Sequence, residues 1–268
     1  MPSTAPTDSV GAVRTEPPGG PRPALLELVA PGRLDEDLLG IDEHLQESGL
    51  APRPSYLREV ARGRVPVEGA GLVAGRLPFV RAALRRIGVD APPPLDYVGA
   101  SDETLGRRVW PSTLGAVAAG LERDGEPVFV KPRGSTKQFT GRVVGEAVDL
   151  RSIRVSSPST PVWCSDVVTM VSEHRVFLVD GEVVGVRNYD GDVALVPAAE
   201  AVAAILDDVG PSLPAGCALD VAVRPDGRVV LVEANEGYSL GRYGLDAGAY
   251  ARLLLARWRE LTGEPAAD

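Results

Sequence analysis

Two apolar runs, Cys217–Val223 and Val229–Glu233, flank the segment Arg224-Pro225-Asp226-Gly227-Arg228, and no other feature restricts the fold of this chain so tightly. Pro-Asp-Gly between β-prone runs is turn chemistry, so a β-hairpin is predicted. Val229-Val230-Leu231-Val232 is apolar at consecutive positions, and successive side chains of a strand face opposite ways. The second arm is therefore expected to be covered on both faces. Into this covered ribbon the sequence sets Asp220, Glu233 and Asn235. A turn confined to Asp226-Gly227, or one spanning Pro225–Arg228, places Asp220 directly opposite Glu233, with Asn235 next on the same face. Opposed like charges repel unless something positive sits between them. Two carboxylates and an amide oxygen are hard ligands, so Mg²⁺ shared with a phosphate is one answer. Two alternatives stay open: Glu233 and Asn235 as solvent-facing residues that end a strand, or a Pro-Asp-Gly turn with a bulge that turns Asp220 to the other face.

The rest of the second half also reads as short strands and tight turns. Val128–Lys131 is a strand entering the polar loop Pro132–Thr140, and Arg142–Val144 and Val162–Val168 are further strands. Arg175–Val179 and Glu182–Arg187 flank Asp180-Gly181, a two-residue hairpin signal. Helices are predicted over Leu77–Ile87, from an N-cap at Ser112 to Arg123, from Pro197 to about Asp207, and over Ala247–Leu261. Residues 1–22, rich in Pro, Gly, Ser and Thr, read as a disordered tail, and 23–110 as a short mixed region. Hairpins packed by a few helices imply an α+β fold rather than a doubly wound parallel sheet.

Bulk properties exclude several function classes. A net charge of −9 over 268 residues, with no basic stripe, argues against nucleic acid as partner. Cys164 and Cys217 lie far apart in apolar runs, which predicts buried thiols rather than a disulfide scaffold or metal site. No signal peptide is expected, the longest apolar runs are too short to span a bilayer, and the expected address is the cytoplasm. Neither His44 nor His174 has a Ser or Cys partner in motif context, so no nucleophile–base pair is predicted.

Of the 28 basic residues only two, Lys131 and Lys137, are lysines. They bracket Lys131-Pro132-Arg133-Gly134-Ser135-Thr136-Lys137, a small, hydroxyl-rich loop that continues to Gly141. A lysine ammonium meets phosphate oxygens as a compact point charge, and such a loop can bring backbone N–H groups close to phosphates. It is not a Walker A loop, and an ordinary surface loop is the competing reading. Glu173 and Arg175 share one face of their strand, opposite His174, with Arg187 at the end of the returning strand. An anion clamp and a surface ion pair fit this spacing equally.

Taken in order, the segments VFVKP with KQFTG, WCSDVV, SEHRVFLVDGEVVGVR and LDVAVRPDGRVVLVEANEGYSLGRYG resemble the ATP-grasp superfamily over about residues 107–245. In detail they look most like a compact clade of small bacterial ligases associated with peptide or modified amino-acid natural products. The resemblance implies two α+β subdomains, 111–165 and 166–262, clasping ATP after a shortened N-terminal region. It implies that Lys131 contacts the nucleotide phosphates, with Lys137 in the loop covering them. Asp166, Val167, Val168 and Thr169 would form the hinge that reads adenine, and Glu173 would bind the ribose. Asp220, Glu233 and Asn235 would bind Mg²⁺. Arg175 and Arg187, with Lys137, would direct positive charge at the transferring phosphoryl group, and Arg107 or Arg108 would stand in for a further phosphate-binding lysine. Ser239, Arg242 and Tyr243, just beyond the metal ligands, would touch the second substrate. The implied reaction joins a small-molecule carboxylate to an amine through an acyl phosphate, with ATP and Mg²⁺ as cofactors. An ATP-grasp kinase acting on a hydroxyl, or a nucleotide-binding module without chemistry, are the alternatives.

Overall fold

The computed structural model describes residues 20–134, 138–153 and 157–264, so residues 1–19 of the expected tail and Lys137 lie outside the described residues. Three sheets carry the architecture. The first is built on β1 (Arg22–Ala30), which pairs antiparallel with β2 (Arg33–Leu34) and parallel with β3 (Leu50–Ser55) and β4 (Leu72–Ala74). Helices α1 (Asp42–Glu47), α2 (Leu57–Ala61) and α3 (Leu77–Arg86) belong to this region. The strand β1 thus begins inside the stretch expected to be tail. Its buried Glu27 is tolerated because Oε2 accepts the Arg76 N–H at 2.6 Å.

After the short α4 (Asp102–Leu105) comes a central antiparallel sheet in the order β5-β8-β6-β7. It comprises β5 (Val109–Thr113), β6 (Val128–Pro132), β7 (Arg142–Val144) and β8 (Pro161–Ser165), with α5 (Leu114–Asp124) packed on one face. Val130 and Cys164 point to α5, so their neighbours Phe129, Lys131, Trp163 and Ser165 point the other way. Two expectations are corrected here. The α5 N-cap is Thr113, whose Oγ1 accepts the Ala116 N–H at 3.2 Å, because Ser112 is paired with Val162 in the unforeseen strand β5. The strand expected to reach Val168 stops at Ser165, where Asp166 leaves the sheet to pair with Arg108.

The third sheet, β10-β9-β11-β12, is antiparallel throughout. It consists of β9 (Ser172–Val179), β10 (Glu182–Gly191), β11 (Gly216–Val223) and β12 (Val229–Glu236). Asp180 and Gly181 both have positive φ, +49° and +81°, as a two-residue hairpin turn requires. Helix α6 (Ala199–Val209) covers one face through Val202, Ile205 and Val209 against Val176, Leu178, Leu219 and Val221. Helix α7 (Ala247–Thr262) lies on the other and joins the N-terminal core, where the Trp258 indole N–H donates to the Ala70 carbonyl at 3.1 Å. Among the described residues, no helix is long and apolar enough to cross a membrane.

Candidate active site

The β11–β12 hairpin closes neither as a two-residue nor as a four-residue turn. Arg224 and Arg228 are hydrogen-bonded across Pro225-Asp226-Gly227, with Gly227 at φ +83°, a three-residue loop with glycine in the left-handed position. That loop pairs Val223 with Val229 and Val221 with Leu231. A bulge then intervenes: Asp220 pairs with Glu233, leaving Val232 as the extra residue. The acids therefore do face each other.

A transverse row of four charged residues follows from register. Arg187 is the Cα partner of Arg175, Arg175 of Asp220, and Asp220 of Glu233, across β10, β9, β11 and β12. Arg175 grips Asp220 in bidentate fashion, Nε–Oδ1 and Nη2–Oδ2 both at 2.7 Å, with both residues buried. Burial pushes the Asp220 carboxyl above the usual carboxylate range, and the guanidinium works against that push. Asn235 Nδ2 donates to Asp220 Oδ2 at 3.0 Å, which leaves the amide oxygen as the group available to a ligand. The Arg175 guanidinium is also stacked 4.8 Å from the Tyr243 ring centroid, and Tyr243 lies 5.4 Å from the Tyr189 ring.

Lys131 reaches this row from the central sheet. Its Nζ stands 2.8 Å from Glu233 Oε2 and 2.9 Å from Asp96 Oδ1, and 4.5 Å from the Tyr97 ring centroid. Burial alone would lower the lysine pKa, but Glu233, Tyr97 and Asp96 together outweigh it and raise it. Asp96 and Tyr97 were not legible as site residues. They follow Pro92-Pro93-Pro94 without a recognisable motif, and only the fold brings them to Lys131.

Between the central and third sheets lies a cavity of about 340 Å³. Phe129, Val143, Val167, Val168 and Met170 give it apolar walls, while Lys131, Glu173 and Glu233 supply its charged groups. Glu173 accepts from the Tyr189 hydroxyl at 2.7 Å, and burial raises its pKa. The lining includes Asp166 but not Thr169, and Arg107 but not Arg108. Arg108 is exposed and held in a bidentate pair by Asp166, which depresses the Asp166 pKa. The Arg107 guanidinium is buried and donates to the carbonyls of Leu105, Leu231 and Val232 at 2.8–3.0 Å, so it braces the bulge beside Glu233.

The remaining candidates do not converge. Arg187 donates to the Gly244 and Val186 carbonyls at 3.1 and 2.8 Å. Arg242 is bound to the N-terminal region, its N–H to Asp37 Oδ1 at 3.0 Å and its guanidinium to the Leu39 carbonyl at 2.6 Å. Ser239 donates to the Gly75 carbonyl at 3.0 Å and lines a second cavity of about 330 Å³ with Asp35, Asp37, Arg76 and Tyr250. Both cysteine thiols are buried, and burial pushes them up to about 11 for Cys164 and about 12 for Cys217, as for inert core thiols.

Among the described residues, no three His, Cys, Asp or Glu side chains are grouped to hold a metal. The set on the hairpin is instead two carboxylates and an amide, all oxygen donors on one sheet face, with Lys131 and Arg175 now occupying carboxylate oxygens. That chemistry fits a hard cation such as Mg²⁺.

Comparison with known proteins agrees with this fold. A D-cycloserine synthetase, DcsG, superposes with a TM-score of 0.54 at 17% identity, over 88% of this chain and 99% of that one. D-alanine–D-alanine ligase from Bacillus anthracis, solved with ATP, gives 0.53 at 12% identity, over 90% of this chain and 98% of that one. At such identities the likeness is one of fold. A search of the curated proteins finds no match. Residues 105–253, more than half of the chain, match the model of an ATP-grasp domain, the second family of its clade. The protein belongs to that family of ATP-grasp domains.

Proposed function

We propose that the chain is an ATP-dependent carboxylate–amine ligase that forms an amide or peptide bond through an acyl phosphate, with amino acids or small peptides as substrates. The observation that carries this reading is the cavity between the two sheets, apolar at its walls and ending at Lys131 and Glu233. A flat base fits between Val143, Val167, Val168 and Met170, and Glu173 is placed to accept from ribose hydroxyls. The subdomains 111–165 and 166–262 are then the two halves of the clasp.

Lys131 binds and neutralises phosphate oxygens at the end of the cavity. Asp220, Glu233 and Asn235 are the residues that would hold Mg²⁺, which supplies neutralisation of the phosphate charge when bound. Arg175, fixed by Asp220 and stacked under Tyr243, presents positive charge beside that point. Arg187 continues the positive row toward the loop at Gly244. A substrate carboxylate oxygen attacks the γ-phosphorus and ADP departs. The amine then attacks the acyl carbon, loses a proton, and phosphate leaves. The second cavity, where Ser239 meets the N-terminal loop at Asp35–Asp37, suits the amino group of such a substrate. The two similar structures bear the names of an amino-acid ligase and a synthetase, which supports the same class.

The test is a screen of amino acids in pairs for ADP release, with hydroxylamine as trap and mass spectrometry of the products. A hydroxamate and an amide product are expected. A phosphorylated alcohol without hydroxamate would overturn the ligase reading in favour of a kinase.

A further inference from the structure

Asp96 lies in none of the motif-bearing segments of the sequence, yet its main chain and its side chain both address the cavity. Its carbonyl accepts the Ala234 N–H at 2.6 Å, which fixes it on β12 between Glu233 and Asn235. Its φ of +50° is a conformation that side-chain-bearing residues seldom adopt, Asp and Asn least unfavourably. From that position Oδ1 meets Lys131 Nζ at 2.9 Å, while Oδ2 accepts the Trp163 indole N–H at 2.8 Å. The next residue, Tyr97, places its ring 4.5 Å from the same ammonium and edge-to-face on Trp163 at 5.4 Å. The Lys131 ammonium thus has three walls: Glu233, Asp96 and the Tyr97 ring.

We propose that the Asp96–Tyr97 pair is the positioning element for Lys131, keeping its ammonium at the phosphate end of the cavity once Glu233 is engaged by a divalent cation. The proposal rests on the ATP-site reading above. Glu233 Oε2 cannot serve a metal ion and also orient Lys131, so a wall that stays in place is needed. Lys131 sits on a flexible four-carbon stem, and without a fixed acceptor it must be ordered anew at each binding event. Asp96 meets that need because Trp163 and the Ala234 bridge immobilise it from two sides.

Calorimetric titration with ATP, once with Mg²⁺ and once with EDTA, tests this on native and Asp96→Asn protein. Asn keeps the left-handed backbone and can accept from Trp163, but it lacks the charge that faces Lys131. With Mg²⁺ the variant is expected to bind ATP about tenfold more weakly, the loss of one charge-assisted contact. With EDTA, where Glu233 still holds Lys131, the loss stays within about twofold. A loss of equal size in both conditions, or none with Mg²⁺, would overturn the role of Asp96. Native protein that binds ATP in neither condition would remove the nucleotide-site reading instead. Should Asp96→Asn not fold, Trp163→Phe deletes only the N–H that orients Asp96, and a Mg²⁺-dependent loss of about threefold is expected of it; its absence would count against the proposal equally.

Discussion

Asp220 and Glu233 oppose each other across β11 and β12 because two irregularities of their hairpin cancel. The three-residue Pro225–Gly227 loop offsets the pairing by one residue, and the bulge at Val232 offsets it back. A strand shifted by one residue turns every side chain to the other face. Without the bulge, Glu233 would leave the face that holds Asp220, Arg175 and the cavity. The guanidinium of Arg107 is bonded to the carbonyls of Leu231 and Val232, the two residues at the bulge.

Arg107 is therefore expected to act on the site through the backbone. Arg107→Leu removes the donor to three buried carbonyls and should cost about 2–4 kcal/mol of unfolding free energy. Urea denaturation followed by circular dichroism measures this, and a variant as stable as the parent would mean that the bulge holds itself.

Lys131→Ala and Glu233→Ala should each abolish turnover while leaving a folded protein. Each removes a group at the end of the cavity rather than a core side chain. ADP release and circular dichroism are the two readouts, and EDTA added to native protein should halt turnover in the same way. Undiminished turnover in both variants would place the chemistry elsewhere.

Much of the third sheet was legible in sequence, since Asp180-Gly181 and Pro225-Asp226-Gly227 announce their turns and the apolar runs announce their strands. The pairing of Asp220 with Glu233 was expected from a two- or four-residue turn and arises instead from a three-residue turn plus a bulge. A bulge leaves no local mark in a run as uniform as Val229–Val232, and here the mark is Arg107, more than a hundred residues away. Strand β5 was hidden because Val109–Thr113 contains Pro111 and abuts a helix N-cap. Asp96 was hidden for a different reason: its role depends on a main-chain bridge to Ala234 and on Trp163, neither of which is near in sequence. Arg107 and Arg108 differ by one position, yet one is buried in a carbonyl cage and the other is exposed, a distinction that only packing decides.

The Arg175–Asp220 pair should behave as a buried ion pair whose breakage is costly. Asp220→Ala leaves the Arg175 charge buried without its carboxylate and should destabilise by about 3–5 kcal/mol. Arg175→Met should be costly in the same range, since it strands Asp220. The double variant should lose less than the sum of the two, because neither charge is then left alone. Strict additivity in a thermal-unfolding cycle would mean that the two side chains do not depend on each other.

Glu173 gives a prediction in which stability and binding move in opposite directions. Burial is the main cause that raises its pKa above the usual carboxylate value, while the Tyr189 hydroxyl pulls it back. Over the pH range between the ordinary and raised values, the folded chain keeps a proton that the unfolded chain has lost. Its stabilising contribution is thus complete below pH ~4.5 and is lost as pH rises through the raised pKa. Glutamine carries no such proton and can still accept from Tyr189. The Tm of Glu173→Gln should therefore gain on that of native protein as pH rises from acid to neutral. In the same variant, the loss of a charged acceptor facing the ribose hydroxyls should weaken ATP binding about tenfold. Tm against pH and calorimetric titration with ATP read the two effects separately. A Tm difference that does not change with pH would show that Glu173 is not strained by burial, and unchanged ATP affinity would remove it from the ribose site.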